Sequence, residues 1–494
     1  MSVAQPPVAR SAARSVVWAC CSFGTGKLLA LATMMVLARL LTPTDFGLMA
    51  FALVYIMYLE TLGDLGTSAA LVYWPAREHD AARVSFLITV VTGWIWFAIT
   101  LLIAPQVAAF FHNPESEAIL RALAWSFPIK ALGATQDALC QKRLRFGRRL
   151  VPEVALSGVK AVVAITLALK GFGVWSLVWG QLAGVATWTI ALWTVVGWRP
   201  DARVPWDLVW PMLRYGGGVV AVNALAALLH HIDLVIVGRI AGAAALGVYQ
   251  LAYKIPEVLI ALPIWIAGTV LFPAFARVRQ QGSAADLRDA YLTTMRYGTL
   301  LTCPSVAALV LFAAPLVTLA FGARWLVAVP ILRALAIYGL LRSLGSPAGD
   351  VIKAVGRPGL LAILGVIKAA VLVPALLTAG MFGSPLGVAS TLAALTGGTA
   401  LLNQAVVARV AGIRLRDVAA ELVPGILAAA AFLLVAATGQ AIFGRIDMVG
   451  VVVLGSLGAL AAAAAVRVHS PELFAAAAST LWSSREPVAA LGSR

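Results

Sequence analysis

The sequence predicts an all-α polytopic membrane protein of about 14 transmembrane helices, built as two six-helix bundles with two further helices near the carboxyl end. Composition is the first sign. Of 494 residues, 61% are hydrophobic and 12% charged, and mean hydropathy is +0.93. That leaves too little polar surface for water to be the solvent of most of the chain. The second sign is the recurrence of apolar runs of roughly 20 residues, the length that crosses a bilayer. The third is an internal repeat: Ile-Leu-Arg-Ala-Leu-Ala stands at Ile119 to Ala124 and again at Ile331 to Ala336.

The expected spans are 15–38, 46–72, 84–110, 118–140, 151–170, 173–197, 209–238, 246–275, 291–321, 328–352, 358–379, 384–408, 419–440 and 447–466. Spans five and six are parted by little more than Gly171-Phe172-Gly173, a turn signal between two apolar runs. Arg10 and Arg14 precede the first span, which lacks a small-residue cleavage site and reads as a retained helix. Lys and Arg crowd into alternate connections: the amino end, 73–83, 141–149, 199–214, 277–288, 353–357, 409–416 and the tail. The opposite set holds Lys170, Arg239, Arg324 and Arg445. This alternation places both termini in the cytoplasm, because basic loops stay on that side. It also explains the net charge of +16 without nucleic acid. Trp74, Trp198, Trp206, Trp210 and Trp325 lie near span ends, where interfacial anchors are expected.

The repeat extends beyond the hexapeptide. Lys130 and Arg342 follow the two copies, Arg39 and Gly47 recur as Arg239 and Gly247, and Lys160 answers Lys368. The offset is about 200 residues throughout, which reads as one duplicated unit. Six spans per unit is an even number, so both units insert in the same sense and are related by an axis along the membrane normal. The domain reading is a cytoplasmic amino terminus (1–14), bundles at 15–198 and 199–408, appended helices at 409–466, and a cytoplasmic tail at 467–494. The tail is expected to hold a short interfacial helix near Leu473 to Trp482.

Charges inside the spans carry the functional argument, since each costs at least roughly 2.5 kcal/mol at mid-bilayer unless compensated. Lys27, Lys130, Lys160, Lys254, Arg342 and Lys368 are the candidates for a cationic, hydrated site that holds a phosphate-bearing headgroup. The competing reading is that each neutralises an acid and holds helices together. Arg121 and Arg333 lie near span ends and can snorkel outward. A straight helix also puts Arg121 and Lys130 on opposite faces unless Pro128 turns it. Glu60 and Asp64, four residues apart, share a helical face and are candidates for ion coupling, with Lys27 as a possible partner in a structural alternative. Asp233 and Glu257 complete the coupling candidates. Lys254 and Glu257 flank Pro256, with Pro263 beyond, as at a kinked, movable helix.

Other chemistries fit less well. Cys20, Cys21, Cys140 and Cys303 have no ligand-like spacing and read as packing residues. His230, His231 and Asp233 lack the further ligands a metal site needs, so no metal or cofactor is expected. Gly24-Thr25-Gly26-Lys27 lacks the rest of a phosphate loop and sits within a span. Connections of at most about thirty residues leave no room for a nucleotide-binding or transferase domain. A transporter of an anionic substrate is therefore expected, not an enzyme.

Certain segments resemble a known family. They are Leu37-Ala38-Arg39-Leu40-Leu41-Thr42-Pro43-Thr44-Asp45-Phe46-Gly47, Gly63-Asp64-Leu65-Gly66, Gln141-Lys142-Arg143-Leu144-Arg145-Phe146, Gly173-Val174-Trp175-Ser176-Leu177-Val178 and Lys353-Ala354-Val355-Gly356-Arg357-Pro358. From about residue 15 to 465 the chain is similar to the polysaccharide-transporter flippases of the multidrug/oligosaccharidyl-lipid/polysaccharide (MOP) exporter superfamily. The branch with the colanic-acid and teichuronic-acid exporters is the nearest in pattern. The resemblance implies a fold shared with the multidrug exporters of that superfamily: 14 helices in two lobes that alternate between inward- and outward-open states. It implies export of an undecaprenyl-pyrophosphate-linked oligosaccharide across the bacterial inner membrane for surface polysaccharide synthesis. A polymerase and glycosyltransferases are the implied companions. A multidrug antiporter, a peptidoglycan-precursor flippase and, from a different class, a membrane glycosyltransferase or polymerase are the alternatives.

Overall fold

Helices begin where the sequence supplies caps and end where glycine or proline interrupts them. The computed structural model describes residues 24, 26–73, 77–143, 146–201, 205–261, 271, 275–279, 282–443 and 448–469. Cys20, Cys21, Trp74, Pro263, Arg445 and the expected tail helix Leu473 to Trp482 lie outside the described residues. Helix α1 covers 26–40. In α2 (Pro43–Leu62), the Thr42 hydroxyl accepts from the Asp45 amide while Asp45 answers the Thr42 amide, and Pro43 occupies the first turn. This reciprocal capping box satisfies amides that would otherwise be orphaned.

The helices that follow are α3 (Thr67–Tyr73), α4 (Glu78–Phe110), α5 (Glu115–Leu123), α6 (Ser126–Lys142), α7 (Phe146–Leu169), α8 (Val174–Val195) and α9 (Trp206–Pro256). Beyond a π-helical turn at Glu257–Ala261 come α10 (Ala284–Leu311) and α11 (Ala313–Phe321). A 3₁₀ segment, Ala323–Ala328, then leads into α12 (Val329–Ala354). The last four are α13 (Pro358–Met381), α14 (Pro385–Ala411), α15 (Leu415–Phe443) and α16 (Met448–His469). No strand occurs among the described residues. Ser283 repeats the capping box with Asp286 at the start of α10.

Each expected span contains a described helix. By length and apolar composition, nine described helices can cross a membrane. The number is up to ten if the bent pair Ala285–Leu311 and Ala313–Phe321 counts as one span. Breaks account for part of the smaller number, the unbroken 22-residue α8 being another expected span outside the nine. Trp206–Ile260 runs for 55 residues, about 80 Å at 1.5 Å per residue, more than twice a hydrocarbon core. Gly242, at φ 82°, interrupts it and so separates expected spans seven and eight. Likewise α5 and α6 have 9 and 17 residues, each too short alone, with the break just before Pro128.

By its contacts the chain divides into two compact units: Met1–Val258 with Leu364–Leu392, and Leu259–Ile363 with Ala393–Arg494. In the first unit, α2 packs on α9, α7 on α8, and α4 on α6. The α2–α9 crossing is made by the duplicated glycines. A Cβ on Gly47 would lie 1.7 Å from the Ala243 carbonyl oxygen, and one on Gly247 would lie 2.1 Å from the Pro43 carbonyl oxygen. Each glycine meets the carbonyl four residues before its counterpart, the reciprocal contact of a local two-fold axis. In the second unit, α10 packs on α15 and α15 on α16. Arg296 forks onto Glu421, with its Nη2 2.8 Å from Oε1, and Arg288 reaches Asp417 at 2.7 Å. Large apolar side chains such as Leu102, Met381 and Ile442 are exposed, as a lipid-facing surface requires.

The tryptophans divide. Trp206 and Trp210 are 72% and 73% exposed, as anchors would be, but Trp325 is fully buried and Trp198 nearly so. The anchor expectation fails for these two. The Trp198 indole N–H donates to His79 Nδ1 at 3.2 Å, so a partner inside the fold takes it from the interface.

Candidate functional site

Five of the six candidate cations fall in the first unit, and three of these, Lys27, Lys130 and Lys254, face a carboxylate. Lys27 Nζ on α1 and Lys254 Nζ on α9 each bond one oxygen of Glu257, both at 2.6 Å. The single Glu257 carboxylate therefore stands between two ammonium groups. Pro256 and the π-helical turn set its position at the end of α9. Pro256 removes one helical donor, and the wider turn re-aims the side chains that follow. Lys160 on α7 lies near enough for Lys254 to act on it electrostatically. Its Nζ bonds the Gln181 amide oxygen of α8 at 2.6 Å, a neutral partner. The close approach of α7 and α8 at Gly184, whose Cβ would lie 3.0 Å from the Lys160 Cβ, holds that lysine in place.

Lys130 on α6 pairs with Glu60 on α2 at 2.7 Å. Both line a cavity of about 500 Å³ with Asp64, Trp96, Phe127 and Asn223. Arg342 on α12, in the second unit, is half-buried and makes no hydrogen bond or ion pair among the described residues. Lys368 lies on α13, in the part of that helix that belongs to the first unit.

The carboxylates depart from the sequence reading in one respect. Glu60 and Asp64 do not share a helical face, because α2 ends at Leu62. Leu65 and Gly66 take φ values of 48° and 75°, and Asp64 accepts from the Gly66 and Ser68 amides at the start of α3. Gly66 takes its positive φ without a Cβ to oppose it, whereas Leu65 takes the left-handed region at a steric cost. Asp64 thus caps a helix. Lys27, the expected partner of one of the two acids, bonds Glu257. Asp233 is 2% exposed and accepts from the Tyr249 hydroxyl at 2.8 Å. Arg121 pairs with Glu117 at 2.7 Å and is about half exposed, while the exposed Arg333 donates to the Val310 carbonyl at 2.9 Å.

Gln181, Tyr249 and Asn223 were not singled out in the sequence, since hydropathy and charge pass over neutral polar side chains. A lone amide inside an apolar helix is the signal that could have found the first and the third.

The comparisons with known proteins agree with this architecture. The family model described as polysaccharide biosynthesis protein matches residues 36–330. The chain is 28% identical to the lipopolysaccharide biosynthesis protein WzxC of Escherichia coli (strain K12), over 73% of each chain. It is 26% identical to the teichuronic acid biosynthesis protein TuaB of Bacillus subtilis (strain 168), over 66% of this chain and 67% of that one. Among solved structures it is similar to the lipid II flippase MurJ in an inward closed conformation. There the TM-score is 0.70 at 13% identity, covering 93% of this chain and all of the other. An inward-facing multidrug resistance MATE transporter of the MOP superfamily superposes with a TM-score of 0.60 at 16% identity, covering 83% of this chain and 97% of that one. The chain is therefore a multi-pass membrane protein with the fold of the MOP transporters, and it belongs to the polysaccharide biosynthesis protein family.

Proposed function

We propose that this protein is a flippase that moves a lipid-pyrophosphate-linked oligosaccharide from the cytoplasmic to the outer leaflet of a bacterial inner membrane. Both termini are cytoplasmic, transport proceeds by alternating access of the two repeat halves, and the product feeds surface polysaccharide synthesis. The observation that carries this reading is the lysine cluster of the first unit. Glu257 is one negative charge shared between Lys254 and Lys27, and Lys160, within electrostatic reach of Lys254, bonds an amide and no carboxylate among the described residues. More positive than negative charge in an apolar setting is costly and becomes favourable when a multiply charged anion arrives. A binding site for cationic drugs would need the opposite balance. Lys368 of the same unit is a further cation for that headgroup, whereas Lys130 is answered by Glu60 and Arg342 belongs to the second unit.

The test uses purified protein in lipid nanodiscs with inorganic pyrophosphate as the probe. Lys160→Ala and Lys254→Ala should each weaken binding about ten-fold, the effect of losing one charge-assisted bond of about 1.5 kcal/mol. Both should also block surface-polysaccharide export at unchanged protein level. Normal binding and normal export in both variants would remove the cationic-site reading. Of the four coupling carboxylates, Glu60 and Glu257 are bonded to lysines and Asp64 is engaged as a helix cap, which leaves Asp233, held by the Tyr249 hydroxyl, as the candidate to exchange a proton. Asp233→Asn should keep the protein level and abolish the response of export to a collapsed proton gradient. An unchanged response would exclude Asp233 from coupling.

A further inference from the structure

The cavity around Lys130 continues into a second one, of about 520 Å³, with which it shares Thr61, Asp64 and Asn223. Its walls bring together Tyr73 of α3, Tyr215 of α9, Gln141 of α6 and Ser68 of α3, beside Asp64 and Asn223. The two tyrosine rings are stacked, with centroids 4.7 Å apart and planes 13° from parallel. They remain open to the outside, at 64% and 38% exposure. The seat under them is rigid: a Cβ on Gly66 would lie 2.3 Å from the Gly216 carbonyl oxygen, and one on Gly216 2.2 Å from the Leu65 carbonyl oxygen. Backbone contact between α3 and α9 one residue from Tyr215 fixes the platform.

The charge of this paired cavity is unlike that of the lysine cluster. Among its described lining residues the one ammonium group, that of Lys130, is bonded to Glu60, and Asp64 adds a second carboxylate. An anion gains nothing here. Carboxylate and amide oxygens accept from hydroxyls, amide N–H groups donate to ring and glycosidic oxygens, and aromatic faces cover the C–H side of a pyranose. Trp96 lines the inner cavity, and its indole N–H is buried without a partner among the described residues. A buried donor left unanswered costs stability that an incoming acceptor restores.

We infer that the linked cavities of the first unit form a saccharide-binding groove, in which Tyr73 and Tyr215 stack on a neutral sugar and Asp64, Asn223, Gln141 and Trp96 bond its oxygens. This rests on the proposed function, in that the sugar is the oligosaccharide of the carried lipid. It gives that oligosaccharide a place separate from the pyrophosphate on Lys160 and Lys254.

Two probes test the groove on the full chain in nanodiscs: the phosphate-free oligosaccharide released by mild acid from the lipid fraction of the producing cells, and inorganic pyrophosphate. Saturation-transfer NMR should show the oligosaccharide bound to the unaltered protein. Tyr73→Ala, Tyr215→Ala and Asn223→Ala should each weaken it about ten-fold while leaving pyrophosphate binding unchanged. Tyr73→Phe and Tyr215→Phe keep the stacking face and should keep binding, an outcome that loss of helix packing would not produce. If Tyr215→Ala does not fold, the exposed Tyr73 and Asn223 carry the test. No transfer to the unaltered protein, or equal binding in the alanine and phenylalanine variants, overturns the groove. Oligosaccharide binding without pyrophosphate binding would leave the groove standing and remove the cationic site, so the two readings fail separately.

Discussion

Gly47→Leu should leave almost no folded protein in the membrane. The Cβ alone would sit 1.7 Å from the Ala243 carbonyl oxygen and within 3 Å of two more backbone atoms of that residue. Overpacking among flexible side chains costs roughly 1–3 kcal/mol. A backbone carbonyl has no rotamer to retreat to, so the cost here lies at or beyond the top of that range. Gly247→Leu should do the same by reciprocity, its Cβ meeting the Pro43 carbonyl oxygen. Gly158→Leu on α7 is the control, because nothing lies within 4 Å of its would-be Cβ. The measurement is folded yield and thermal midpoint by fluorescence-detected size exclusion. Gly47→Leu behaving like Gly158→Leu would mean that α2 and α9 do not touch in the membrane.

The second large effect concerns the Arg296–Glu421 pair. Arg296→Leu removes this partner from the Glu421 carboxylate and Glu421→Leu removes the fork from Arg296, a loss that approaches the roughly 3–5 kcal/mol of a fully buried pair broken on one side. The double leucine variant should recover most of it, since a pair of charges replaced together leaves neither one unmatched. A double-mutant cycle on thermal stability reads the difference. Additive losses in the double variant would show that the two side chains do not interact. The same cycle probes how the last two helices are attached. Arg288–Asp417 lies along the same α10–α15 crossing, and Gly425, next to Glu421, is so close to Thr299 that a Cβ would come within 2.7 Å of its backbone. These helices resemble an appendage in their alanine-rich sequence, yet α15 is fastened to α10 by ion pairs.

Much of the fold was legible because the bilayer imposes it. Twenty apolar residues must become a helix where no water can satisfy the backbone, and each expected span does contain one. Capping at Thr42–Asp45 and Ser283–Asp286 follows from local spacing alone. The failures occurred where a helix was assumed to continue. Glu60 and Asp64 share a face only if α2 runs on, and the Gly63–Gly66 turn ends it. Trp198 and Trp325 were placed by distance from span ends, but the packing of neighbouring helices decided their burial.

The candidate site was half legible. Lysines buried in apolar helices stand out in any sequence because their cost is independent of context. Their partners do not stand out. Lys27 joins Glu257 across 230 residues, and Lys130 joins Glu60 across 70, distances at which no periodicity speaks. Gln181 beside Lys160 carries no charge to mark it.

By itself the sequence determined the helical class, the approximate spans, the duplication and the presence of costly cations, because all of these are set by the exchange of each residue between water and lipid. Only the tertiary structure decided which carboxylate answers which lysine, that the paired glycines meet face to face, and that two tyrosines stack above a polar groove. Those outcomes depend on short-range forces that act over a few ångströms, between side chains that the chain order keeps far apart.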